Sequence, residues 1–310
     1  MTRVACVGHA ALDHVFEVEA IPHEPIKTLA RAYHARPGGM SLHAAIAAAR
    51  LGATARLLGR VGDDAAAAFL RERLAAEGVQ AQGLERVRGA TTSIAAVIVD
   101  VQGARQIYIL RGNALEHAHR LDVRQLDGAD VVLVDPRWPD GAAAALRWAR
   151  SHGIPSLLDA EVAPLAVLDR LMPLARWVAF SEPGLALWAR GRLRDEALAA
   201  ACAQGPRIAF VTLGAEGARW VEGQGEATQV AAPAVGARDT TGAGDVFHAA
   251  LALALAEGQR VGAAAAWACA AAAYKCERGL GAEGAPTRSQ LRRWLASRAE
   301  RRTPRNAAGA

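Results

Sequence analysis

The sequence predicts an α/β fold in which helices cover both faces of a mostly parallel central sheet, with a smaller β-sheet beside it. Three observations carry this. Short, fully apolar strand-like runs alternate with helical segments through most of the 310 residues, the pattern of strands buried on both faces. Hydrophobic residues make up 52% of the chain but aromatics only 5%, which suits alanine-rich helices packed close on a sheet rather than an aromatic-rich sandwich. Two early pairs of strands have no helix between partners, so they are expected to form a small antiparallel sheet projecting from the main body.

Residues 4–8 read as a buried strand. Residues 13–21 alternate, with Phe16, Val18 and Ala20 on one face and Glu17 and Glu19 on the other, and residues 29–36 supply a partner. Residues 39–51 form a helix with a small-residue face, closed by Gly52. A strand over 56–61 and a helix over 64–77 follow. Strands over 92–100 and 105–111 turn at Gln102-Gly103. Regular alternation then sets in: strand 131–134, helix 141–151, strand 156–158, short helix 165–172, strand 177–180, a helical stretch ending near Gln204, and strand 207–213. A hairpin-like stretch over 219–231 leads into a glycine-bearing turn, and helices over 243–256, 261–276 and 288–298 complete the pattern. One domain over 1–300 is expected, with a polar, disordered tail over 301–310. No internal repeat is visible.

The net charge is +5, and Lys27 and Lys275 are the only lysines among 36 basic residues. The arginines are spread along the chain rather than blocked, so no nucleic-acid partner is expected, while attraction of an anionic substrate stays open. Cys6, Cys202, Cys269 and Cys276 are too far apart for a zinc ribbon or a redox pair, and read as reduced thiols of a cytoplasmic protein. No signal peptide is visible. Apolar runs such as 249–256 fall short of the ~20 residues that cross a membrane.

The most informative segment is Asp239-Thr240-Thr241-Gly242-Ala243-Gly244-Asp245, followed by the apolar run 246–256. Glycines in the turn let backbone N–H groups approach an anion, and the helix start adds unpaired donors and the positive end of the macrodipole. Such a turn can hold a phosphoryl group while Asp245 takes a proton from an attacking hydroxyl, the equipment of a small-molecule kinase. No P-loop is present, nor the His-Arg-Asp and Asp-Phe-Gly set of protein kinases. The one Gly-x-Gly-x-x-Gly, at 279–284, follows a helix rather than a strand and reads as a loop.

On these residues the chain resembles the PfkB/ribokinase family of carbohydrate kinases over nearly its full length. Asp239 to Asp245 matches the C-terminal signature. Gly38-Gly39-Met40-Ser41-Leu42-His43-Ala44-Ala45 and Gly59-Arg60-Val61-Gly62-Asp63-Asp64 match the N-terminal one, and Thr212-Leu213-Gly214-Ala215-Glu216-Gly217 the nucleotide-side turn. The resemblance implies a ribokinase-like three-layer fold with a small β-sheet lid over 13–36 and 92–111. It implies Asp245 as general base and the amides of Gly242, Ala243 and Gly244 as anion hole. Thr212, Gly214 and Gly217 would border the ATP phosphates and ribose, with Ser181 nearby, and residues 272–279, including Ala272, Cys276 and Gly279, the adenine. Asp13, Gly38 and Gly39 match the sugar-binding wall. Asp239 and Thr241 match positions that hold a monovalent cation such as K⁺ in some members.

Two departures stand out. His43 replaces an asparagine that hydrogen-bonds sugar hydroxyls in many members. Ser181-Glu182-Pro183-Gly184 replaces the Asn-x-x-Glu metal motif, leaving Glu182 to reach Mg²⁺ through water while ATP phosphates hold the ion. Within the family the chain is similar to sulfofructose kinases, a branch near ketohexokinases, through 3–8, 135–141, 179–186 and 245–248. That likeness implies a sulfonate grip by Lys27 and Arg137, with Ile109 where an asparagine would complete it and Arg111 or Asn113 nearby. The expected function is ATP- and Mg²⁺-dependent phosphorylation of a ketohexose or an anionic derivative such as 6-deoxy-6-sulfofructose, at O1. A nucleoside kinase, or a silent sugar-binding protein on the same fold, are the alternatives. A homodimer through the lid is expected, since its apolar strand faces need cover.

Overall fold

The computed structural model describes residues 1–116, 120–279 and 281–302. In chain order the strands are β1 (Arg3–Gly8), β2 (Ala11–Glu17), β3 (Ala32–Gly38), β4 (Thr54–Gly62), β5 (Leu84–Val87), β6 (Ser93–Val99), β7 (Arg105–Leu110), β8 (Val131–Val134), β9 (Ser156–Ala160), β10 (Trp177–Ser181), β11 (Ile208–Thr212), β12 (Ala218–Glu222) and β13 (Thr228–Val230). The helices are α1 (Met40–Arg50), α2 (Ala65–Ala76), α3 (Pro139–Ser151), α4 (Leu165–Leu171), α5 (Glu182–Ala189), α6 (Arg194–Ala203), α7 (Ala243–Ala256), α8 (Val261–Arg278) and α9 (Arg288–Arg302).

The large sheet runs β13-β12-β11-β10-β9-β8-β1-β4-β5. It is parallel from β11 to β5, and antiparallel only where β11 meets β12 and β12 meets β13. Its central strands are buried on both faces, so successive residues feed different cores: Val4 and Cys6 pack with α1, α2, α7, α8 and α9, Ala5 and Val7 with α3 to α6. This is the three-layer arrangement the apolar runs predict. From β1 the chain order diverges, to β4 on one side and β8 on the other, and such a switch point opens a crevice at the carboxyl ends of the strands.

The small sheet runs β3-β2-β6-β7. It departs from expectation in one respect: its middle pair, β2 and β6, is parallel. The reason is connectivity. These two strands are not hairpin partners; the chain between them passes through α1, β4, α2 and β5. The partner of β2 also starts later than expected, at Ala32 rather than residue 29. β5 was not expected at all, because Leu-Glu-Arg-Val buries only its two ends and carries no apolar run. The stretch ending near Gln204 is two helices, α5 capped by Ser181, whose Oγ accepts from Gly184 N–H at 3.1 Å, and α6. Helix α9 runs on to Arg302, two residues into the segment expected as a tail; residues 303–310 lie outside the described residues. Among the described residues no helix is long and apolar enough to cross a membrane.

Candidate active site

The site grows from α7. Residues Val246 to Ala254 are all buried, and, His248 apart, they are apolar on every side; the helix packs against α8 and α1, as a central helix does. Its N-terminus opens through Gly242, which caps it in the left-handed region at φ +73. A side chain there would be strained, and its Cβ would lie 2.8 Å from His43 Nδ1. Ala243 N–H is drawn to Thr240 O at 3.2 Å, whereas the N–H groups of Gly244 and Asp245, in the first turn, have no acceptor within the helix.

Asp245 stands in that first turn with its side chain 14% exposed. His43, in the first turn of α1, reaches it across the layer: Nδ1 lies 2.9 Å from Asp245 Oδ2, and Nε2–H donates to Pro37 O at 2.9 Å. Burial alone would lower the His43 pKa, but the hydrogen bond to Asp245 and the charges of Asp245 and Asp13 outweigh it, so the net shift is upward. The histidine is therefore directed at the carboxylate, a role its place among sugar contacts does not suggest.

Asp13, on β2, is drawn up by burial and lies against Gly38. A Cβ on Gly38 would sit 2.2 Å from Asp13 Oδ1, so glycine is what lets the carboxylate occupy this wall. Behind it, fully buried Asp135 follows β8 and ties three elements together. It accepts from His9 N–H at 2.7 Å, Ser41 N–H at 3.1 Å, Ser41 Oγ at 2.5 Å and Arg137 N–H at 2.8 Å, the multiple donors a buried carboxylate requires.

Two cavities flank the turn. One of 290 Å³ lies under the small sheet and is lined by Asp13, Arg36, His43, Asp239 and Thr241, among others. The second, 440 Å³ and mainly apolar, is lined by Thr212, Gly214, Gly217, Ala243, Gly244, Phe247, Ala272 and Cys276. The expected nucleotide-side residues thus gather on one wall, except Gly279, which lines the smaller cavity, and Ser181, which lines neither.

Other expectations are placed differently. Ser181 Oγ donates to Glu161 at 2.9 Å, and Glu182, 58% exposed, is paired with Arg194 at 2.7 Å. Lys27 is exposed between β2 and β3, Ile109 is exposed on β7, and neither these nor Arg137 lines the smaller cavity. Asp239 and Thr241 are on its wall, but the Asp239 carboxylate is already engaged. Lys275 Nζ donates to it at 3.1 Å, Thr241 N–H at 2.8 Å and Gly281 N–H at 3.0 Å, and Arg105 from β7 pairs with it at 2.9 Å. Burial would raise the Asp239 carboxyl, yet the Lys275 charge and the N–H donors hold it well below the usual carboxylate range.

A further pair went unpredicted. His248 Nδ1 lies 3.0 Å from Asp159 Oδ2, both side chains almost wholly buried. Burial pushes the Asp159 carboxyl up, to about 6, against the pull of His248. Asp159, Asp245 and His248 present ligand-type atoms within 4.8 Å of one another, so this pair lies directly beside Asp245.

The family model for pfkB family carbohydrate kinases matches residues 1–288. A ribokinase from Bacillus subtilis is 32% identical over 302 residues, covering 95% of this chain and 100% of the relative. A fructokinase from Vibrio alginolyticus is 28% identical over 229 residues, 68% of this chain and 74% of the relative. Among solved structures, a ribokinase candidate from Agrobacterium tumefaciens superposes with a TM-score of 0.92 at 34% identity, covering 96% of this chain and 99% of that one.

Proposed function

We infer the reaction from one premise: this chain belongs to the pfkB family of carbohydrate kinases. It transfers the terminal phosphoryl group of ATP to a hydroxyl of a small sugar, with Asp245 as the base. One observation carries this reading, the placing of Asp245. Its neighbours Ala243, Gly244 and Phe247 line the larger cavity, and its partner His43 lines the smaller. ATP in the first and a sugar in the second would meet at the start of α7.

The chemistry follows from that geometry. The sugar oxygen forms a bond to the γ-phosphorus as the bond to the ADP oxygen breaks. The hydroxyl proton passes to Asp245 late, which suits a modest base and a loose transition state. First-turn amides and the α7 dipole face the charge that spreads over the phosphoryl oxygens. Mg²⁺ supplies charge neutralisation when bound with ATP. The motif expected to assist it does not fit a direct ligand, since Glu182 is held by Arg194 and Ser181 by Glu161. The ATP phosphates themselves would be its main ligands.

The acceptor is a ribose- or fructose-class sugar. The relatives named above support this, as does a 290 Å³ cavity, at the small end of ligand pockets. A sulfonated ketohexose has less support. Lys27 and Arg137 stand off the cavity wall, and the three arginines on it, Arg31, Arg36 and Arg238, are offset by Asp13, Glu17, Asp100 and Asp239. The exposed apolar side chains of β7, Ile107 to Leu110, support a homodimer in which a second copy covers this edge strand.

ADP release measured with ribose, fructose, sulfofructose and inosine tests the assignment. Turnover with a pentose or ketohexose is expected. Turnover with inosine alone would move the substrate to nucleosides, and silence with every acceptor would overturn the kinase reading.

A further inference from the structure

Asp239, which with Thr241 is expected to hold a monovalent cation, has its oxygens engaged by donors of the chain itself. Lys275 Nζ donates to the main-chain carbonyl of Asp239 at 2.9 Å and to its Oδ2 at 3.1 Å. Its side chain is 0% exposed, deep in the last turn of α8. A carbonyl oxygen and a carboxylate oxygen are the ligand types that replace the hydration shell of an alkali ion. An ammonium carries the same single charge and answers the same oxygens as a donor. The residue type fits as well. A guanidinium is a wide plane, whereas lysine brings a compact point charge on a flexible stem, and Lys275 is one of two lysines in a chain otherwise rich in arginine. Burying it is costly unless paired, and the pairing is with the residue that opens the 239–244 turn.

We propose that the ε-ammonium of Lys275 is a built-in substitute for a monovalent cation beside the turn that precedes α7, so that this chain needs no K⁺. Fixing Asp239 in this way fixes the turn: the same carboxylate holds Thr241 N–H and Gly281 N–H. The effect on turnover rests on the proposed kinase reaction; the substitution itself does not.

The test compares the protein in KCl, NaCl and tetramethylammonium chloride at equal ionic strength. Thermal unfolding of the wild type without ligands should show no K⁺-specific rise in midpoint, and ATP turnover should be the same in all three salts. Lys275→Ala opens the seat. It should lose about tenfold or more in turnover in Na⁺ and recover in K⁺ or NH₄⁺, with an ion-specific rise in its midpoint. Lys275→Met fills the seat without charge and should lose activity in every salt. A wild type stabilised or stimulated severalfold by K⁺ overturns the proposal, as does a folded Lys275→Ala protein that responds alike to all three salts. If the alanine variant does not fold, the wild-type salt comparison decides. If no sugar is turned over, the kinase reading fails while the unfolding midpoints still decide this inference.

Discussion

His43 Nδ1 and Asp245 Oδ2 lie 2.9 Å apart, and the other nitrogen of the same ring lies 2.9 Å from the carbonyl oxygen of Pro37. A carbonyl and an ionised carboxylate can only accept, so the ring satisfies both when it carries two protons. The imidazolium then orients the carboxylate and balances its charge in a site proposed also to admit ATP.

The upward shift of the His43 pKa sets a direction for stability. A base whose folded value exceeds its unfolded one, about 6.5 for histidine, contributes stability that is fully present below the unfolded value. That contribution is lost as pH rises through the folded value. Denaturant unfolding of the wild type and His43→Gln across pH should show the largest difference at the acid end, shrinking as pH rises. A difference that is constant with pH would exclude the charged pair.

Replacing Asp245 by Asn keeps the shape and removes the proton acceptor. Turnover should fall about 10³-fold, within the usual range for a general base, while calorimetry shows ATP binding close to wild type. Undiminished turnover would rule out Asp245 as the base.

Gly38→Ala places a methyl group where Asp13 Oδ1 now lies, 2.2 Å away. The wall must shift, at a cost of about 1–3 kcal/mol typical of overpacking. The sugar KM should rise much more than the ATP KM. Equal effects on both would mean the wall serves the fold rather than the sugar.

Ala272→Phe fills part of the 440 Å³ cavity. ATP affinity should drop about tenfold or more, equivalent to at least ~1.4 kcal/mol, with the protein still folded and sugar binding retained. Unchanged ATP affinity would place the nucleotide elsewhere.

The layered fold was legible because short apolar runs alternate with helical segments, the pattern of parallel strands covered on both faces, and the turn at 239–245 because glycines and an acid at a helix start have a mechanical reason to be together. What was hidden lies in contacts between distant segments. The partnership of His43 with Asp245 spans 202 positions, and no spacing rule reports it. Asp135 and Asp159 did leave a trace: one follows the fully apolar β8 and the other stands near the carboxyl end of the buried β9, where a buried acid calls for donors from elsewhere. Lys275 left one too, as a lone lysine in an alanine-rich helix. The parallel pairing of β2 with β6 left none, since strand direction depends on the path of the intervening chain.

The bridge from Arg105 to Asp239 joins the small sheet to the segment proposed to shape the phosphate site, so a shift of one should be felt by the other. Reciprocity then follows from thermodynamics: if occupancy of the sugar side tightens nucleotide binding by some factor, the nucleotide must tighten sugar binding by the same factor. Severing that bridge, as in Arg105→Ala, should leave two ligands that bind independently.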